Sequence, residues 1–249
     1  MAIYIFFKIK KENYKMSELL YEIKFCVEEY IWSKRVLRLT VHKLLQKINR
    51  RLGGNLLPID SEEIIEPYMT PLHDGCFIDV GANFGMWTNY VAKKGFEVYA
   101  FEPSPRPYKY LVKRALPNVH VYNIALGDKN GEAILNLHRM SVYDSVICKA
   151  KGFFLGKTIK VSMKTLDSFQ FENVGLIKID TEGYEFPILL GAKETIERCK
   201  PRVIVEVHSP YKQQIPTIEK LMRGMNYTII RKYKPGTHQP MLICEPKEQ

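Results

Sequence analysis

From Gly75 onward, short apolar runs alternate with helix-length amphipathic segments, and this alternation constrains the fold more than any other feature of the chain. Parallel strands need a crossover between them, and the helices that make those crossovers cover the sheet. The apolar runs predict strands at Cys76 to Val80, Glu97 to Phe101, Val119 to Asn123, Leu176 to Ile179, Val203 to Val207, Tyr227 to Arg231 and Met241 to Cys244. Helices are expected at Met86 to Lys94, Tyr108 to Ala115, Phe186 to Glu197 and Thr217 to Met222. A hairpin or edge pair, Ala133 to His138 with Thr158 to Met163, interrupts the alternation after the third strand. Only Lys232 to Gln239 joins the last two strands, too short for a crossover helix, so they should pair antiparallel. The expected class is α/β, a seven-stranded, mostly parallel sheet with an antiparallel last strand.

A chain of 249 residues has room for one large domain with an appendage, not for two full domains. Residues 1–70 read as a helical extension with a connector, and residues 71–249 as the main domain. Between Ser17 and Leu52 apolar residues recur three or four apart, the period of an amphipathic helix, with a break near Trp32 and Ser33 that divides it in two. The first 51 residues hold 12 Lys and Arg against 5 Glu, so they carry +7 of the formal +10. Such an excess suits an anionic partner, RNA or a phospholipid surface. The glutamates interrupt any continuous basic face, and the interleaved aromatic and basic residues of a base-stacking platform are missing. Packing on the main domain or in a homodimer is therefore the favoured reading, with RNA binding and membrane-surface association kept behind it.

No apolar run approaches the ~20 residues of a membrane span, and Ala2 to Phe7 is shorter than a signal-peptide core. The five cysteines are scattered, odd in number and never spaced C-x-x-C, which reads as reduced thiols without a zinc knuckle. A cytoplasmic location is expected on these grounds.

The most informative stretch is Phe77-Ile78-Asp79-Val80-Gly81-Ala82-Asn83-Phe84-Gly85, an apolar strand ending in a tight turn that opens a helix. Such a turn brings backbone N–H groups to a ligand at the carboxyl edge of the sheet. Glycines at 81 and 85 do not fit the G-x-G-x-x-G dinucleotide fingerprint, and Asp79 would repel a pyrophosphate. A ligand cationic at this end fits better, and S-adenosylmethionine (SAM) has an ammonium group for Asp79, directly or through water, and a carboxylate for the turn amides. Thr88, on the first helical turn, is a further candidate for that carboxylate. The second strand ends in Phe101-Glu102-Pro103, where Glu102 suits paired hydrogen bonds from ribose hydroxyls. The third ends at Asn123, and Asn123 with Ile124 and Ala125 is expected to flank adenine.

These residues, in this order, resemble the FkbM-like branch of class I SAM-dependent methyltransferases, through FIDVGANFG, FEPSP, NIALGD, VSMKTLD, KIDTEGYEFPILLGA and IVEVH. Asn83 stands where the broader family pattern has a middle glycine, and Asn tolerates the left-handed backbone. The resemblance covers about Gly75 to His208 and implies a Rossmann-like fold, SAM as methyl donor, S-adenosylhomocysteine (SAH) as product and an oxygen acceptor on a sugar, glycan or other small molecule. It does not extend to residues 1–70. An RNA methyltransferase and a non-catalytic protein of the same fold are the alternatives.

Lys178-Ile179-Asp180-Thr181-Glu182-Gly183 ends the fourth strand, beside the transferable methyl in this fold class. Asp180 or Glu182 is the candidate for positioning the acceptor and collecting its proton. Glu182 alternatively accepts backbone N–H bonds at the start of the next helix. Glu206 and His208 share one side of the fifth strand, and His208 is a candidate for proton exchange near neutral pH. A divalent ion between Asp180 and Glu182 is compatible with their spacing, but no metal ligand set is assigned. Gly152-Phe153-Phe154-Leu155-Gly156-Lys157-Thr158 is one residue short of a phosphate loop and precedes a strand-like run, so it reads instead as an apolar lid or packing plug.

Overall fold

The computed structural model describes residues 65–138, 144–147, 154–208, 214–233 and 240–247. The helices expected between Ser17 and Leu52 lie outside these residues, as do Gly152 and Phe153 of the proposed apolar lid, whose remainder, Phe154 to Thr158, runs within a strand.

Strands β1 (Cys76–Val80), β2 (Val98–Phe101) and β3 (Val119–Tyr122) alternate with helices α1 (Met86–Ala92) and α2 (Pro105–Val112). A two-residue strand β4 (Ala125–Leu126) precedes the hairpin of β5 (Gly131–His138) and β6 (Phe154–Lys164). The alternation resumes with β7 (Val174–Ile179), α3 (Glu185–Leu190), α4 (Lys193–Cys199), β8 (Arg202–Glu206), α5 (Ile215–Gly224), β9 (Tyr227–Tyr233) and β10 (Pro240–Pro246). The main sheet has the order β3-β2-β1-β7-β8-β10-β9. Its first five strands are mutually parallel, and β10 runs antiparallel to both β8 and β9, as the short last connection requires. Strand order reverses between β1 and β7, which opens a crevice at their carboxyl ends.

Both faces of the sheet are covered, so its strands read as nearly continuous apolar runs. Ile78, Val80, Ile177, Ile179, Val203 and Val205 pack against Ile188, Leu189, Ile196, Ile218 and Met222 of α3, α4 and α5. On the other face Phe77, Leu176 and Ile204 pack with Ile65, Met69 and, from α1, Trp87 and Val91. Each fully buried side chain of this kind contributes about 1.5–3 kcal/mol. The second face turns polar at its carboxyl edge. Register pairs Asp79 with Lys178 and Lys178 with Ile204, so the two-residue period gathers Asp79, Lys178, Asp180, Glu206 and His208 on one side.

Three local differences from the sequence reading have identifiable causes. The helix expected from Phe186 to Glu197 is broken at Gly191, where an added Cβ would lie 1.9 Å from the Gly127 carbonyl oxygen. Beyond that contact a new helix starts, with the Glu194 and Thr195 amides donating to Asp167 at 3.1 and 2.8 Å. Helix α2 begins three residues early, because Pro105 at its first position has the required φ and no amide to lose. Strand β4 was not expected; it pairs parallel with β6 and with β5 completes a separate three-stranded sheet. Among the described residues no helix is long and apolar enough to cross a membrane.

Candidate active site

The turn after β1 is shaped by what lies against it. Gly81 has φ of 74°, and a Cβ there would meet the Asp180 carbonyl oxygen at 2.0 Å. Gly85 has φ of 80° and faces Leu111 of α2, whose Cδ1 would be 2.2 Å from an added Cβ. Both glycines are thus required by backbone geometry and close packing. Asn83 takes the left-handed position between them with φ of 52°.

The Asn83 N–H donates to Glu102 Oε2 at 2.7 Å, and the Ser104 N–H donates to Oε1 at 2.7 Å. Glu102 is 6% exposed and lines a cleft, and each of its oxygens keeps a further acceptor site. Burial pushes its carboxyl up to about 7; the two amides oppose the shift, while the Asp144 and Asp79 carboxylates add to it.

Other expected cofactor contacts are turned inward. Asp79 is buried beneath the turn, its Oδ2 accepting the Thr88 hydroxyl at 2.6 Å and its Oδ1 lying 4.0 Å from Lys178 Nζ. Thr88 is fully buried and its hydroxyl is committed to Asp79, so the expected contact with a ligand carboxylate is corrected to a supporting role. Oδ1 of Asp79 has no hydrogen-bond partner, and burial raises the carboxyl despite Lys178. Asn123 donates to the carbonyls of Glu102 and Pro103 at 2.8 and 3.0 Å. Its amide nitrogen is committed to tying two strand ends together. Ala125 is buried in β4, while Ile124, expected beside it, lines the cleft together with Leu126. Pro103 lines it as well.

The cleft has about 540 Å³ of space between its walls, part of it open solvent. Gly81, Asn83 and Glu102 line one part of it, and Asp180, Thr181 and Glu182 another. His208 stands behind these carboxylates and is 6% exposed. Its Nε2 lies 3.1 Å from Glu182 Oε1, 3.6 Å from Asp180 Oδ1 and 3.6 Å from Glu206 Oε1, while Nδ1 lies 3.3 Å from Glu185 Oε1. Burial alone would lower its pKa, but Glu182, Glu185 and Glu206 override that and hold it well above the usual range. These carboxylates favour the imidazolium form, which moves the proton exchange expected of His208 toward higher pH.

Glu182 has φ of 61°, a strained position for a side chain with a Cβ. The backbone role considered for it belongs to Glu185, which accepts the Gly183 N–H at 2.8 Å and the Thr181 N–H at 3.4 Å. Glu182 faces His208 through its Oε1. Lys178 Nζ donates to Asp180 Oδ2 at 3.1 Å; burial would lower its pKa, but Asp180, Asp79 and Glu206 raise it.

Sequence reasoning missed Lys178, Glu185, Asp144 and Ser145. A lysine inside the apolar run Gly175-Leu176-Ile177-Lys178-Ile179 is a readable signal, because a buried ammonium needs carboxylates around it. Asp144 accepts from Ser104 Oγ, and Ser145 Oγ donates to the Glu182 carbonyl at 3.1 Å, so this segment borders the cleft at both ends. Its residues belong to no periodic pattern that would have flagged them.

A sequence model described as the methyltransferase FkbM domain matches residues 79–229, more than half of the chain. The chain belongs to the FkbM methyltransferase family. The matched stretch contains the turn, Glu102 and the whole Asp180–His208 cluster. Among solved structures, methyltransferase FkbM from Methylobacillus flagellatus KT is 14% identical to this FkbM-family chain, with a TM-score of 0.51. The similarity covers 69% of this chain and 43% of that one, so this chain spans less than half of its length. A TehB-like SAM-dependent methyltransferase from Corynebacterium glutamicum is 12% identical, covering 84% of this chain and 97% of that one, with a TM-score of 0.45. SMU.1697c from Streptococcus mutans, in complex with SAH, is 14% identical, covering 75% and 98%, with a TM-score of 0.48. The first of these likenesses shows the Rossmann-like fold. No curated protein sequence matches the chain.

Proposed function

We propose that the chain is a SAM-dependent O-methyltransferase for a hydroxyl on a sugar, glycan or other small molecule. The observation that carries this reading is one cleft at the switch point with Glu102 in one part of its lining and the carboxylates of Asp180 and Glu182 in another. The residues present fit the cofactor. Glu102 has acceptor sites beyond those used by the Asn83 and Ser104 amides, which suits ribose hydroxyls. Ile124 and Leu126 offer adenine an apolar wall, and the orphaned, buried Oδ1 of Asp79 suits a cationic end nearby. Bound there, SAM supplies a sulfonium methyl for in-line transfer.

At the other end the chain's own groups do the positioning. Asp180, with its side chain 29% exposed, has Lys178 3.1 Å from one oxygen and His208 3.6 Å from the other, which fixes the carboxylate in orientation. It receives the acceptor hydroxyl as a hydrogen bond and takes its proton as the new bond forms, while Glu182 bounds the same wall. Asp180→Asn keeps the shape and removes the proton acceptor. Turnover should fall about 100-fold or more with SAH affinity unchanged; wild-type turnover would remove the assigned role. Incubation with methyl-labelled SAM and a panel of hydroxylated sugars and glycans tests the acceptor class. Label appearing in RNA alone would replace it.

Cofactor affinity should also depend on pH through Glu102. The free carboxyl titrates at about 7, with Asp144 and Asp79 facing it, whereas hydroxyl donors favour its ionised form. Below that value binding must release a proton, so affinity should fall up to tenfold per pH unit on acidification and level off above it. Calorimetry of SAH at about pH 6 in buffers of different ionisation enthalpy should register that proton. Flat affinity from about pH 5.5 to 8 would contradict it.

A further inference from the structure

We propose that Asp180, Glu182 and His208 form a site for a divalent cation of the Mn²⁺ or Mg²⁺ type at the acceptor end of the cleft. The inference rests on the reading of this end as the acceptor site. One donor atom from each residue can be chosen so that all three lie within 4.8 Å of one another. Cis ligands held at about 2.1 Å from one ion stand roughly 3 Å apart. Nε2 of His208 is already 3.1 Å from Glu182 Oε1 and 3.6 Å from Asp180 Oδ1. Two donors come from the end of β7 and the third from just past the end of β8, neighbouring strands of the main sheet.

An observation outside the three donors points the same way. Glu185 is wholly buried, with Oε1 3.3 Å from His208 Nδ1 and Oε2 lacking any hydrogen-bond partner. A buried carboxylate on one ring nitrogen is the arrangement that orients an imidazole and commits the other nitrogen to a metal. Carboxylate oxygens with a single imidazole and no thiolate favour a hard cation. Asp180 and Glu182 line the cleft while His208 ligates from behind, so open coordination positions would face an incoming hydroxyl. A cation there would orient that oxygen and make its proton easier to lose.

The test uses the full chain, stripped with a chelator and titrated with Mn²⁺ alone, bound ion being read from the loss of the free-ion paramagnetic resonance signal. One ion per chain is expected, and Asp180→Asn and Glu182→Gln should each weaken it at least tenfold. Glu132→Gln, on the exposed Glu132–Lys160 pair, should leave it unchanged. Thermal melts show whether each variant is folded, and the half-exposed Asp180 site is the one least coupled to the core. SAH is titrated into the same samples by calorimetry. If SAH binds and Mn²⁺ does not, or if both ligand variants hold Mn²⁺ like the wild type, the cation site is refuted while the cofactor reading stands. If Mn²⁺ binds and is lost in the variants but SAH never binds, the cation site stands and the cofactor reading falls.

Discussion

Glu102→Ala is expected to weaken SAH binding by roughly two orders of magnitude, about 3 kcal/mol, through loss of two charge-assisted hydrogen bonds to ribose. The same carboxylate organises its surroundings. Its oxygens hold the backbone amides of Asn83 and Ser104, which belong to the turn after β1 and the start of α2. Truncation therefore removes a ligand contact and also frees two amides that set the cleft's width. Glu102→Gln separates these effects: it keeps one acceptor oxygen and loses the charge, so its affinity should lie between those of alanine and wild type. Asn83 lines the cleft whereas Ser104 is buried, so thermal melts accompany the titrations to show that each variant is folded. Calorimetric affinities equal to wild type in both variants would remove Glu102 from the cofactor site.

The architecture was legible because its signals are local and repeated. An apolar run such as Val203 to Val207 between helical segments can be little else than a strand buried on both faces. The shortness of Lys232 to Gln239 was enough to make β10 antiparallel. Glu102 and Asp180 could be found because each ends a strand, and strand ends converge on one crevice in this topology. Direction was harder to read. Whether Thr88 or Asn123 reaches a ligand or spends its hydrogen bonds inside depends on partners distant in sequence, Asp79 for the first and the Glu102 and Pro103 carbonyls for the second. The break at Gly191 was hidden for a related reason, since its cause is the carbonyl of Gly127, more than sixty positions earlier. Glu185 drew no reading because nothing local marks it, and only the fold brings His208 against it.

Lys178→Met should destabilise the protein by about 3–5 kcal/mol, although it preserves length and packing, because it removes one partner from a buried charged group. Lys178 is 4% exposed, and its ammonium lies 3.1 Å from Asp180 and 4.0 Å from Asp79. Asp79 and Glu206 are 1% and 5% exposed, so neither can turn to water when the ammonium is gone. Asp79 keeps the Thr88 hydroxyl as a donor to Oδ2, but its Oδ1 has no hydrogen-bond partner among the described residues. An apolar side chain of the same volume would be tolerated here if the carboxylates were also neutral. The double variant Lys178→Met with Asp79→Asn should therefore recover part of the loss, a coupling that two independent substitutions would not show. Urea unfolding measures both, through the midpoint at unchanged slope. A single variant within about 0.5 kcal/mol of wild type would mean that the carboxylates at this edge do not depend on Lys178.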